Sequence, residues 1–143
     1  MPEDQLIESH NIKYKVVTAD EFYNIIKKNN TARNLIISDY VYLSKDLELV
    51  SSLDFSNCIF QSEFIADDIH ENNNLVFSLC TFKQRVLILN CKFSMLSFYK
   101  CTFDQYFITK KLIAKTYKIE DCIINNSKEL RIEDFKSKNL IFD

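Results

Sequence analysis

Five cysteines (Cys58, Cys80, Cys91, Cys101 and Cys122) and two histidines (His10 and His70) are the side chains best suited to metal binding or nucleophilic chemistry. A zinc site needs such ligands in close-set pairs that converge on one ion. Here Cys58, Cys80, Cys101 and Cys122 stand 22, 21 and 21 residues apart, so no such pairing is offered. An odd number of cysteines at recurring positions reads as reduced, small, buried side chains. Thiols stacked across neighbouring turns of the chain leave an adventitious metal or a disulfide as the alternative. His70 lies in the polar run Asp67-Asp68-Ile69-His70-Glu71, where a solvated imidazole is preferred over a general base. No Ser-His-Asp, His-Cys-Asp or paired-carboxylate arrangement falls at positions that recur together, and a chain without Gly cannot build a Gly-rich phosphate loop. No catalytic residue, metal or cofactor is expected, and the chain does not read as an enzyme.

Charge is the feature that could carry recognition. Asp46, Glu48, Asp54, Glu63, Asp67, Asp68 and Glu71 form a block without Lys or Arg. Lys83, Arg85, Lys92, Lys100, Lys110, Lys111, Lys115 and Lys118 follow, opposed by Asp104 alone over the stretch 83–118. If sequence advances along the axis of a stack, these blocks become an acidic band and a basic band. Solvated surface is one reading and electrostatic recognition of a partner is the other. The candidate partner-binding residues are therefore Asp54, Glu63, Asp67, Asp68, Glu71, Lys83, Arg85, Lys92, Lys100, Lys110 and Lys111.

The elements that position these charges follow from a recurring phrase. Asn57-Cys58-Ile59-Phe60 is answered by Leu79-Cys80-Thr81-Phe82, Lys100-Cys101-Thr102-Phe103 and Asp121-Cys122-Ile123-Ile124. Leu53-Asp54-Phe55, Leu75-Val76-Phe77 and Leu96-Ser97-Phe98 keep the same period. Two phrases on one period of 20–50 residues predict stacked repeats. Phe60 should then lie on Phe82 and Phe103, about 4.8 Å from layer to layer. Between the phrases, apolar residues at Phe55, Phe60 and Ile65, at Phe77, Phe82 and Leu87, and at Phe93, Phe98, Phe103 and Ile108 step by five. Leu35/Ile37, Val41/Leu43 and Leu47/Leu49 predict short strands in front, and the polar run 66–74 predicts a corner loop. Without Gly, turns fall to Asn, Asp, Ser and Lys.

Ahead of the repeats, residues 1–12 look polar and loose. Thr18 with Glu21 three residues on is a capping box, and Val17 with Phe22 a hydrophobic staple. They open an amphipathic helix with Phe22, Ile25 and Ile26 on one face and Lys27 and Lys28 at its end. This helix is expected to cap the stack and cover its strand edges. At 143 residues and 47% apolar content the chain fills one core. It divides into residues 1–30, an N-terminal segment with the capping helix, and residues 31–143, the stack with a C-terminal cap or dimer segment. An acidic amino terminus and the lack of an apolar run of about 18 residues speak against a secretory signal or membrane span, so a cytoplasmic protein is expected.

Over residues 35–124 the Cys-x-Phe recurrence at 58/60, 80/82, 91/93 and 101/103 resembles an irregular member of the pentapeptide-repeat family. The resemblance implies an all-β fold: a right-handed, four-sided parallel β-helix of about five coils of 21–22 residues, with the N-terminal α-helix as its cap. It also implies a rigid, non-catalytic inhibitor, since characterised relatives bind type II topoisomerases by imitating the shape and charge of duplex DNA. A nucleic-acid-processing enzyme, a topoisomerase or a host nuclease opposed by a phage, would then be the protein partner. In related members the C-terminal end often pairs two rods, which makes Leu140, Ile141 and Phe142 the candidate homodimer contact. Two alternatives stand beside this reading. The 83–118 basic band, with Tyr99, Tyr106, Phe107 and Tyr117, could bind nucleic acid directly, or the chain could be a structural oligomerisation module.

Overall fold

In the computed structural model, residues 5–9, 12–48, 51–70, 73–125 and 130–143 are described. The chain opens with β1 (Gln5–Ser9), β2 (Ile12–Val17), α1 (Ala19–Asn29), β3 (Thr31–Arg33), β4 (Leu35–Ile37) and β5 (Val41–Ser44). A 3-10 turn at Lys45–Leu47 leads to β6 (Leu53–Ser56), β7 (Ile59–Phe60), β8 (Phe64–Asp67), β9 (Asn74–Ser78) and β10 (Thr81–Phe82). Then come β11 (Val86–Tyr99), β12 (Thr102–Phe103), β13 (Phe107–Glu120), β14 (Ile123–Ile124) and β15 (Leu130–Phe142).

Two sheets result. A seven-stranded sheet runs β1-β2-β4-β7-β10-β12-β14, and an eight-stranded sheet, curled as a half-barrel, contains β15-β13-β11-β9-β6-β3 with β5 and β8 joined through β11. All pairings are parallel except the β1–β2 hairpin. Successive partners lie one period apart: Ile59 opposes Thr81 and Thr81 opposes Thr102, with Phe60, Phe82 and Phe103 in register beside them.

This corrects the expected fold class. The chain is a mostly parallel, two-sheet α/β arrangement with one helix, not an all-β right-handed parallel β-helix of pentapeptide-repeat type, and it does not read as a β-helix repeat protein. The residues show why. A four-sided coil needs an unbroken step of five, but after Phe60, Phe82 and Phe103 the next inward side chains are Phe64, Val86 and Phe107, while Ile65, Leu87 and Ile108 are only half-buried. That step of four ends the five-residue rule. β11 then runs as one 14-residue strand, pairing with β8 through its first half and β9 through its second, so expected separate sides fuse.

Three local expectations also change. The loose segment 1–12 contains β1 and the start of β2, joined as an antiparallel hairpin. Leu47 belongs to the 3-10 turn and not to a strand, and its expected partner Leu49 lies outside the described residues. Within the expected 66–74 loop, Ala66 and Ile69 are core residues and His70 bridges to Lys92; Glu71 and Asn72 lie outside the described residues.

The helix forms as its sequence dictates. Thr18 Oγ1 accepts from the Glu21 N–H at 3.2 Å, and the Glu21 carboxylate accepts from the Thr18 N–H at 2.9 Å. Asn30, left-handed at φ 60°, ends it. Its buried face seats Phe22 against Phe55 and Phe60, with centroids 5.4 and 5.8 Å away, so the helix closes one end of the core.

Corners are turned without Gly. Asn34, Asn57, Leu79, Lys100 and Asp121 form one set of left-handed residues one period apart, and Asp68, Asn90, Lys111 and Asp134 a second. Asn and Asp tolerate this region because their short polar side chains bond locally; Leu and Lys gain no such relief. Directly after the last four of the first set come Cys58, Cys80, Cys101 and Cys122, each thiol donating to the carbonyl two residues back at 3.4–3.5 Å. A thiol is small enough for that corner and satisfies a carbonyl there. All five cysteines are free; four are buried and Cys122 is half-buried.

Candidate functional site

Three of the seven acids of the 46–71 block, Glu63, Asp67 and Asp68, are spent on bonds within the chain. Glu63 pairs with Arg85, 22 residues on, through both Nε and a terminal guanidinium nitrogen. Asp68 takes Lys45 Nζ at 3.1 Å, His70 Nε2 at 3.2 Å and the Asn90 amide at 3.4 Å. Its hydrogen bond to Lys45 holds its carboxyl below the usual carboxylate range. Asp67 accepts from the Tyr42 hydroxyl at 3.0 Å, and that bond pushes the Tyr42 phenol up. Glu71 lies outside the described residues. Asp54, exposed on β6, has no ion-pair partner among the described residues.

The basic block divides. Lys83 is paired with Asp104 at 3.5 Å, Arg85 with Glu63, and Lys100 lies 5.4 Å from the Tyr99 ring centroid. These three do not join the rest. Lys118, half-buried between Ser97 and Ile141, lies apart as well, and the register of the long strands gathers Lys92, Lys110, Lys111 and Lys115. His70 opposes Lys92, Lys92 opposes Ile113, and Ile113 opposes Lys136, so these four side chains form one outward row. Lys111 borders the row at a left-handed corner, with Lys110 beside it. One hollow of about 180 Å³ is lined by His70, Lys111, Ile113, Asp134 and Lys136. A second, about 280 Å³, shares Ile113 and Lys136 and adds Lys115 and Lys138.

The resulting face carries Lys92, Lys110, Lys111, Lys115, Lys136 and Lys138, none in an ion pair among the described residues. Ile113 gives it an exposed apolar centre. Asp134 is the acidic residue in its lining. The arrangement can hold several phosphate or carboxylate groups at once, with lysine as a mobile point charge. Lys136 and Lys138 are hidden in the sequence because the period blurs after Ile124; the 23-residue step from Ile113 to Lys136 is the signal that places them.

The other expectations fare differently. Tyr99 and Tyr106 are exposed, but Phe107 and Tyr117 are core residues and cannot stack on a base. Leu140, Ile141 and Phe142 are exposed on β15, the outer strand of its sheet. Among the described residues no three His, Cys, Asp or Glu side chains converge as metal ligands, and no helix is long and apolar enough to cross a membrane. Set against protein-family models, curated proteins and solved structures, the chain matches none of them.

Proposed function

We propose that this is a non-catalytic binding protein whose rigid sheets present the Lys92–Lys138 face to an anionic macromolecule, with the phosphates of a nucleic acid as the best-fitting partner. The observation that carries this reading is the lysine row itself: six cations on β11, β13 and β15, none in an ion pair among the described residues although Lys110 opposes Glu133 in register, while Glu63, Asp67 and Asp68 of the 46–71 block are bonded within the chain. Unpaired lysines release counterions from phosphates, so affinity must fall steeply with salt. Five free thiols suit a reducing compartment such as the cytoplasm.

The test is an electrophoretic mobility series with labelled duplex and single strands across salt, for the parent chain and for Lys111→Ala/Lys136→Ala. Binding at low salt should weaken in the double variant, and for duplex the log–log salt slope should shrink by about 0.9 for each phosphate that is no longer neutralised. No shift at low salt, or a double variant indistinguishable from the parent, overturns the reading.

A second reading is that the chain occupies a site on a nucleic-acid-processing enzyme. It is favoured by the carboxylates that keep no base, Asp54 on β6 with Asp20 and Asp39 beside α1. Here the chain would be captured by a purified topoisomerase or nuclease rather than by that enzyme's substrate. Self-association through Leu140, Ile141 and Phe142 is compatible with either reading, and light scattering of Phe142→Asp against the parent decides it.

A further inference from the structure

A separate cleft opens where the first turn of α1 faces the corner between β4 and β5. Its volume is about 610 Å³, and Asp20, Tyr23, Ser38, Asp39, Tyr40 and Ser62 line it. The chain places these groups for definite reasons. Asp20 stands in the first turn of α1, where a carboxylate is stabilised by the helix dipole. Asp39 is held by its own bond: Oδ2 accepts from the Ala19 N–H at 3.1 Å. Tyr23 is pinned too, its hydroxyl oxygen accepting from the Tyr42 N–H at 2.8 Å. Tyr40 is the exposed wall, more than half accessible at 56%.

An anion is the wrong guest here. Two of the helix N-terminal donors that would attract one, the Ala19 and Glu21 N–H groups, already donate to Asp39 and Thr18. The lining holds two carboxylates, two phenols and two hydroxyls, and no Lys or Arg. Carboxylates supply charge, while tyrosine faces attract a cation through the ring quadrupole and cover its methylene or guanidinium plane.

We infer that this cleft is a cation site, taking the guanidinium or alkylammonium group of an arginine- or lysine-like ligand between Asp20, Asp39 and the rings of Tyr23 and Tyr40. The ligand chemistry is shared by a free organic cation and by a basic side chain of a peptide. The site is independent of the lysine face, and the loss of either leaves the other standing.

Calorimetric titration with arginine amide, its uncharged counterpart citrulline amide, and a hexapeptide carrying one central arginine between neutral residues tests the inference. The charged probes should bind and citrulline amide should not. Asp20→Asn and Tyr40→Leu alter exposed positions, so native circular dichroism is expected to persist while affinity falls roughly tenfold, the scale of one cation–π or ion-pair contact. Binding of both charged probes means that a free cation suffices; binding of the hexapeptide alone assigns the site to a protein segment. Absence of binding by both, equal binding of citrulline amide, or affinity unchanged in both variants overturns the inference.

Discussion

Phe60 and Phe82, 22 residues apart in the chain, lie with their ring planes 6° apart and their centroids separated by 5.1 Å. Phe103 continues the stack at the same distance and angle. Phe77 and Phe98 form a second stack at 4.8 Å, and rings of the two stacks meet edge to face. This ladder of fully buried rings joins the two sheets.

Phe82 therefore sits where truncation leaves a cavity that no neighbour can fill, since rings press on it from both sides. Phe82→Ala should cost about 3–5 kcal/mol in urea unfolding, and Phe82→Asp should abolish folding. Native circular dichroism and an unchanged melting temperature for Phe82→Asp would show that the ring is not part of the core.

Leu79 holds a left-handed backbone at φ 55° with half of its side chain exposed. Its counterparts one period before and two after are Asn57 and Asp121. Leu79→Asn should raise stability by up to about 1 kcal/mol, because Asn enters this region with less steric penalty. Ile123→Asn, an exposed position on β14 with an ordinary strand backbone, is the control and should give no gain; equal effects from both would refute the explanation.

Tyr117 and Thr109 bring hydroxyl oxygens into the core, and neither oxygen has a well-formed hydrogen bond. Burial raises the Tyr117 phenol well above its ordinary range. Tyr117→Phe should be neutral or stabilising by about 1 kcal/mol, since an unsatisfied buried polar group is removed with its shape retained. A marked fall in melting temperature would reveal a bond that Tyr117 depends on.

Cys91 is pushed up to about 11, chiefly by burial, which disfavours the thiolate. In the unfolded chain a thiol titrates near 8.5, so the folded chain holds this proton to higher pH. The stabilisation is fully present below about 8.5 and is lost as pH rises toward 11. Cys80, raised the same way, adds to the loss. Cys91→Ala should flatten the fall of melting temperature between pH 8.5 and 11, and an unaltered slope would count against a buried, protonated Cys91.

Local order was written in the chain and could be read there. The capping box at Thr18 and Glu21 acts between residues three apart, and the 21–22-residue recurrence of Cys and Phe demands that equivalent side chains stack, because repeated apolar rings have no other place to hide from water. The inward step was legible only in part: Phe60 to Ile65 follows a rule that holds elsewhere, but the chain turns one residue earlier and buries Phe64. That choice is made by packing across layers, so tertiary structure alone decided the split into two sheets. Charge behaved likewise. Composition separated acids from bases, but pairing depends on register, and register put Arg85 over Glu63 and carried Lys136 beside Ile113. A residue's sign is local, while its partner is set by which strand lies about 4.8 Å away.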